Sequence, residues 1–165
     1  MYNFVQYKSE NHSFRERFSR EGAAMRIAVV DGQGGGIGKA LVERIKAENL
    51  KGLEILALGT NATATGQMLR AGADEGATGE NAILYNMPRV DAVLGVIALL
   101  TANSMLGELT PAMARAIGEC EAEKILLPLN RCGVYVVGVK ETNLSVLIEE
   151  GVSALVELHR RRGGN

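Results

Sequence analysis

Short apolar runs alternate with helix-periodic segments along the chain from Met25 onward. In Arg26–Asp31 a continuous apolar run, Ile27–Val30, is closed by an acid, which is typical of a buried strand. Ile37–Glu48 places its apolar residues at helical spacing on one face. The other predicted strands are Leu53–Leu58, Ala73–Ala77, Asp91–Leu100, Lys124–Leu129 and Val134–Val139. Further helices are predicted after Asn61, from Glu80 to Asn86, after Thr110 and after Asn143.

Several of these helices carry local start or stop signals. Asn61 and Asn143 are typical N-cap residues, because their side chains can accept from free N–H groups of the first helical turn. Thr110 offers a capping hydroxyl and is followed by Pro111 at the first helical position. Gly72 is placed as a C-terminal glycine should be.

The alternation of strands and helices predicts a single α/β domain, a Rossmann-like three-layer unit with a mostly parallel sheet and helices on both faces. Ligands of such sheets bind at the carboxyl ends of the strands, near the point where the strand order reverses. The polar segments that follow the predicted strands are Asp31–Gly38, Gly59–Asn61, Thr78–Asn81, Thr101–Glu108 and Asn130–Gly133. We therefore expect these segments to form the ligand site.

The first part of the chain, residues 1–24, is polar and charged and lacks clear periodicity. One interpretation is a flexible N-terminal extension in front of a ligand-binding domain at residues 25–165. The other is that translation starts at Met25, since Arg20-Glu21-Gly22 can be encoded by a purine-rich, ribosome-binding-like stretch. Mass spectrometry of the natively expressed protein would distinguish the two.

The strongest functional signal is the turn between the first strand and the first helix. The N–H groups at a helix N-terminus attract anions, and glycines remove the side chains that would hold a phosphate away. The sequence therefore predicts a cradle for a phosphate group of a nucleotide-like ligand. The alternative is that the glycines only let the helix pack closely on the sheet. The predicted cofactor-binding residues of the turn are Asp31, Gly32, Gln33, Gly34, Gly35, Gly36, Ile37 and Gly38.

The spacing of the glycines indicates which of the known phosphate-binding motifs the turn resembles. A P-loop is excluded, because Gln33 stands where its first glycine belongs and Ala40 where its hydroxyl residue belongs. Gly32, Gly36 and Gly38 fit GxxxGxG, which resembles the cofactor loop of short-chain dehydrogenases/reductases. That resemblance implies NAD or NADP.

Two parts of the dehydrogenase pattern are missing from this sequence. The catalytic Tyr-xxx-Lys pair of those enzymes is absent, since Tyr85 is followed by Arg89. No acid closes the second strand to bind ribose hydroxyls; Gly59-Thr60-Asn61 stands there instead. A dinucleotide remains an expectation that these departures weaken.

Further candidates lie in the other polar segments. Thr60 and Asn61 are predicted to donate to a ribose or second phosphate, although Asn61 alternatively serves only as an N-cap. Glu108 is the candidate general base. Cys132 is a candidate nucleophile if Arg131 lowers the pKa of its thiol, and otherwise an inert, half-buried cysteine. The predicted substrate-binding residues are Glu80, Asn81, Asn103, Ser104, Asn130 and Arg131.

The composition and net charge of the chain argue against several classes of binding partner. A net charge of −1 and 4% aromatic residues give neither the basic field nor the stacking surface of a nucleic-acid binder. The two cysteines lack metal-ligand spacing, so we expect no metal site and a reduced, cytoplasmic setting. No apolar run reaches membrane-spanning length. The expected partner is a small phosphate-bearing molecule, and the sequence leaves open whether copies of the chain form a homo-oligomer.

Nearly all of Met25–Leu158 resembles a bacterial family of unknown function, DUF3842. The resemblance implies a Rossmann-like domain and no established activity. Three functions stay open: nucleotide binding without catalysis, an NAD(P)-dependent oxidoreductase, and a transferase or hydrolase acting on a phosphorylated metabolite. The stretches that carry the resemblance are Arg26–Lys39, Ala57–Ala64, Gly76–Ile83, Asn103–Thr110 and Leu126–Cys132.

Overall fold

The structure is a computed structural model that describes residues 24–129, 133–140 and 143–163. Strands and helices alternate throughout. The strands are β1 (Met25–Asp31), β2 (Leu53–Gly59), β3 (Glu75–Thr78), β4 (Ala92–Val96) and β5 (Glu123–Leu127). The helices are α1 (Gly36–Ala47), α2 (Ala62–Arg70), α3 (Glu80–Asn86), α4 (Pro111–Glu119) and α5 (Leu144–Arg161).

The five strands form one parallel sheet in the order β3-β2-β1-β4-β5. The order reverses between β1 and β4, because β2 and β3 are added on one side of β1 and β4 and β5 on the other. The ends of β1 and β2 are in register, with Asp31 opposite Gly59. The predicted Rossmann-like fold, a parallel sheet between layers of helices, is confirmed.

Two apolar clusters lie on the two faces of the sheet. Alternate residues of β1 point to opposite faces, so Ile27 and Val29 join one cluster while Ala28 and Val30 join the other. The first cluster is closed by α1, α2 and α5, and the second by α3 and α4. Burial on both faces is the reason that β1 reads as an unbroken apolar run rather than an alternating one.

The predicted caps are present. The side chain of Asn61 accepts from the N–H of Ala64, and that of Thr110 accepts from the N–H of Met113. The side chain of Asn143 accepts from the N–H of Ser145 at the start of α5. Helix α3 also matches its predicted bounds, and a 3-10 turn containing Pro88 follows it.

Two strand predictions need correction. The predicted strand Asp91–Leu100 ends at Val96 and continues as a 3-10 turn, Ile97–Leu100. The predicted strand Val134–Val139 is wrong: residues 133–140 contain no strand, and Tyr135 and Val137 are 78% and 87% exposed. Residues with high β-propensity form a strand only where a neighbouring strand accepts their backbone hydrogen bonds.

No helix in the described part of the chain is long and apolar enough to cross a bilayer. The predicted N-terminal extension lies outside the described residues, apart from Ala24.

Candidate functional site

The glycine-rich turn lies at the carboxyl end of β1, at the reversal of strand order. The segment that follows β2 lies on one side of it, and the segment that follows β4 lies on the other. A parallel sheet opens a crevice at this point, because the connections from the two neighbouring strands lead away to opposite faces. The fold therefore places the predicted turn where ligands of such sheets bind.

The side chain of Asp31 binds two backbone N–H groups of the turn. Its carboxylate is buried and accepts hydrogen bonds from the N–H groups of Gly32 (2.8 Å) and Gly38 (2.6 Å). Burial raises the pKa of Asp31, with a smaller contribution from the charge of Glu108, whereas the N–H groups of Gly38, Gly32 and Ile37 act in the opposite direction. The acid directly before the glycines thus faces backbone amides, which fixes the start of α1.

The glycines of the turn divide into two groups. A Cβ on Gly32 or Gly38 would meet a methionine sulfur at 2.7 Å, and a Cβ on Gly35 would meet the Cα of Ala64 at 2.6 Å. By contrast, a Cβ on Gly34 or Gly36 would meet nothing within 4 Å. Close packing therefore accounts for three of the glycines, and the other two face open space.

The free amides of the turn are fewer than its glycines. Besides the two N–H groups bound to Asp31, the N–H of Gly35 donates to the carbonyl of Gly32, and the N–H of Gln33 donates to Glu108. The N–H groups of Gly34 and Gly36 have no acceptor among the residues that the structure describes. These two donors, both on exposed residues, are the ones that remain for an anion.

Glu108, in the segment after β4, contacts the turn with its carboxylate. Its Oε2 accepts three hydrogen bonds: from the N–H of Gln33 (2.8 Å), the hydroxyl of Thr60 (2.7 Å) and the side-chain amide of Asn61 (2.8 Å). These donors come from the segments after β1 and β2. Glu108 therefore joins three of the predicted polar segments at one carboxylate oxygen.

This environment disfavours Glu108 as a general base. The N–H of Gln33 and the hydroxyl of Thr60 have the largest effects and lower the pKa of Glu108 below its ordinary value. Burial opposes them, and the amide of Asn61 makes the smallest contribution, which also lowers the pKa. A carboxylate with a lowered pKa accepts protons poorly at neutral pH.

Thr60 and Asn61 both lie at the site. Asn61 is the N-cap of α2, since its side-chain oxygen accepts from the N–H of Ala64, and its amide nitrogen donates to Glu108 and to the carbonyl of Gln33. The hydroxyl of Thr60 donates to Glu108. Their binding of a ribose or phosphate stays a prediction.

The described members of the predicted substrate-binding set lie in separate environments. Glu80 accepts from the hydroxyl of Thr110 and so joins the starts of α3 and α4, and Asn81 is exposed beside it. Asn103 is exposed, with its N–H bonded to the carbonyl of Leu109. Ser104 does not face the crevice as expected, because it is 4% exposed and its hydroxyl donates to the carbonyl of Ala98. Asn130, Arg131 and Cys132 lie outside the described residues.

The structure adds an apolar pocket that the sequence did not indicate. Its volume is about 50 Å³, and Val96, Ala98, Met105 and Leu129 line it opposite Asp31, Gly32, Gln33 and Ile37. Val96 and Ala98 read in the sequence as part of a long buried strand. Their role in the pocket depends on the end of that strand at Val96, which no local signal marks.

The segment that carries Glu108 has an unusual backbone. Asn103, Met105 and Leu106 have φ angles of 62°, 57° and 59°, a region that residues with a β-carbon rarely adopt. Leu106 is 97% exposed, so packing of its side chain does not compensate for that conformation. Strain of this kind persists where surrounding contacts impose it. Here the bonds from Gln33, Thr60 and Asn61 to Glu108 hold the end of the segment.

Comparisons with known proteins give structural likenesses and one family. A crystal structure of a dodecameric FMN-dependent UbiX-like decarboxylase from Escherichia coli O157:H7 aligns with 81% of this chain and 93% of its own, at 10% identity and a TM-score of 0.40. No curated protein sequence matches the chain. The sequence profile described as "Domain of unknown function (DUF3842)" matches residues 26–160, which include every strand of the sheet except the first residue of β1. The chain belongs to the DUF3842 family.

Proposed function

We propose that this protein binds a nucleotide through a phosphate group seated on the amides of Gly34 and Gly36. The observation that carries the proposal is the state of these two residues. Both are exposed, their N–H groups have no acceptor in the described part of the chain, and nothing lies within 4 Å of where a Cβ would stand. A phosphate oxygen can approach such donors closely, aided by the positive end of the α1 dipole.

The surroundings suit a nucleotide better than a free phosphate ion. Hydroxyl and amide groups of Thr60 and Asn61 lie on the β2 side of the turn, and an apolar pocket lies on the β4 side. At about 50 Å³ the pocket is far smaller than the roughly 300 Å³ of a small-molecule cavity. The ligand would therefore lie along the crevice, with the pocket receiving one edge of a ring.

Binding without catalysis is the function that the site favours. Asp31 is buried against backbone amides, and Glu108 is held by three donors that lower its pKa. The described part of the chain also contains no group of three or more His, Cys, Asp or Glu residues able to hold a metal ion. Amides of the turn occupy the Asp31 carboxylate, and Glu108 accepts protons poorly at neutral pH, so we assign NAD, NADP or a related nucleotide the role of a bound effector.

Isothermal titration calorimetry and thermal shift with NAD, NADP, ADP and inorganic pyrophosphate test the proposal. A ligand present at 100 times its Kd stabilises the folded protein by about 2.7 kcal/mol. The variant Gly36→Val should fold but lose binding, because the added side chain covers the amides. Gly118→Val is the matched control, since Gly118 also has open space at its Cβ position but lies in α4.

Two results of these measurements would contradict the proposal. If folded Gly36→Val binds these nucleotides as tightly as the parent does, the ligand lies elsewhere. If none of the four compounds binds the parent, the turn is not a nucleotide site.

A further inference from the structure

The oxygens of the Glu108 carboxylate differ in their surroundings. Oε2 receives all three hydrogen bonds, from Gln33, Thr60 and Asn61. Oε1 has no partner among the residues that the structure describes. The three bonds to Oε2 hold this half-buried side chain, and Oε1 is not among the fully buried atoms, so it can accept from a donor of a ligand. The site thus presents one oriented acceptor beside the turn.

The Glu108 carboxylate lies near the end of β2, although the residue itself follows β4. Dinucleotide-binding sheets generally carry an acid near the end of the second strand, where it accepts the ribose hydroxyls. Here β2 ends at Gly59, followed by Thr60 and Asn61, and none of these is acidic. Glu108, 47 residues beyond Asn61 in the sequence, brings a carboxylate to that position from the segment after β4. Tertiary structure therefore supplies an acid that the local sequence lacks.

The charge of the site distinguishes between two kinds of ribose. The three described donors to Glu108 are a backbone amide, a hydroxyl and a side-chain amide, so none neutralises the carboxylate. A ribose hydroxyl can donate to the free oxygen, whereas a phosphate on the same ribose would be repelled by it. Sites that accept a phosphorylated ribose place an arginine there instead.

We propose that Glu108 makes the site selective for a nucleotide with an unphosphorylated ribose diol, so that NAD binds in preference to NADP. The inference rests on the proposed binding of a nucleotide at the turn and adds the residue that determines its specificity. Like-charge contacts at an interface disfavour the partner that brings them. We therefore expect the parent to bind NAD at least about tenfold more tightly than NADP.

The test is a calorimetric measurement of the NAD and NADP affinities of four proteins. In Glu108→Gln the ratio of the two affinities should fall to within about threefold, mainly because NADP binds better. Glu108→Asp keeps the charge and should retain a preference for NAD. Glu119→Gln is the control, since it removes one negative charge from α4, where Glu119 pairs with Arg115, and should leave the ratio unchanged.

The outcomes separate this inference from the proposed function. Equal NAD and NADP affinities in the parent, or an unchanged ratio in folded Glu108→Gln, would overturn the selectivity while the turn remains a nucleotide site. Binding of ADP and inorganic pyrophosphate without either dinucleotide would overturn the preference for NAD over NADP. If no compound binds, the proposed function itself fails. Circular dichroism of each variant establishes that it is folded.

Discussion

The division of the glycines into packed and open positions predicts a graded series of stabilities. Gly34→Ala adds a methyl group to open space at a residue without a positive φ, so its free energy of unfolding should stay within about 0.5 kcal/mol of the parent. Gly52→Ala also adds a methyl group to open space, but φ is 70° there. A left-handed backbone costs an alanine about 1–2 kcal/mol, which is the loss expected for this variant.

Gly35→Ala combines both effects. Its φ of 72° carries the same backbone cost, and its Cβ would lie 2.6 Å from the Cα of Ala64. The obstacle is backbone of α2, so no side-chain rotation relieves the contact. Overpacking of this kind typically adds about 1–3 kcal/mol. The expected total loss is about 2–5 kcal/mol, a large part of the roughly 5–15 kcal/mol that stabilises a domain.

Equilibrium unfolding in urea, followed by far-UV circular dichroism, measures the series. The order of stability should be Gly34→Ala, then Gly52→Ala, then Gly35→Ala, with similar m-values since the folded surface is unchanged. A Gly35→Ala variant as stable as Gly52→Ala would show that α1 and α2 do not approach closely at Ala64. Equal destabilisation by Gly34→Ala would refute the open space above the turn.

Two further predictions concern the segment that carries Glu108. Leu106→Gly should raise the free energy of unfolding in urea by about 1 kcal/mol, because glycine adopts the φ of 59° without steric cost and the lost side chain is exposed; a loss of stability would contradict the strain. The lowered pKa of Glu108 means that its ionised form stabilises the fold above the ordinary glutamate pKa of about 4.3. The stability advantage of the parent over Glu108→Gln should therefore be present at pH 7 and shrink as the pH falls below about 4.3; an advantage independent of pH would contradict the bonds to Oε2.

The sequence by itself determined the alternation of the five described helices with the five strands of the sheet. The caps at Asn61, Thr110 and Asn143 and the apolar run of β1 are local signals, since each depends on residues within a few positions along the chain. The same locality made the glycine turn recognisable between a strand and a helix. These features needed no knowledge of the strand order.

The predictions that were wrong concern features that depend on residues distant in the sequence. The apolar stretch Val134–Val139 has the composition of a strand, but pairing requires a partner that its own residues do not specify. Ser104 stands in a polar segment, yet the fold of that segment buries its hydroxyl against the carbonyl of Ala98. In both cases the outcome depended on contacts with other elements.

Only the tertiary structure decided how the turn is packed and hydrogen-bonded. Whether a glycine serves packing depends on what lies across from it, such as Ala64 of α2 opposite Gly35. Glu108 reaches the N–H of Gln33 across 75 residues of sequence, because the sheet order brings the segments after β1, β2 and β4 to one edge. Contacts between residues so distant along the chain leave no periodicity or spacing to recognise, so the chemical environment of the site emerged only from the fold.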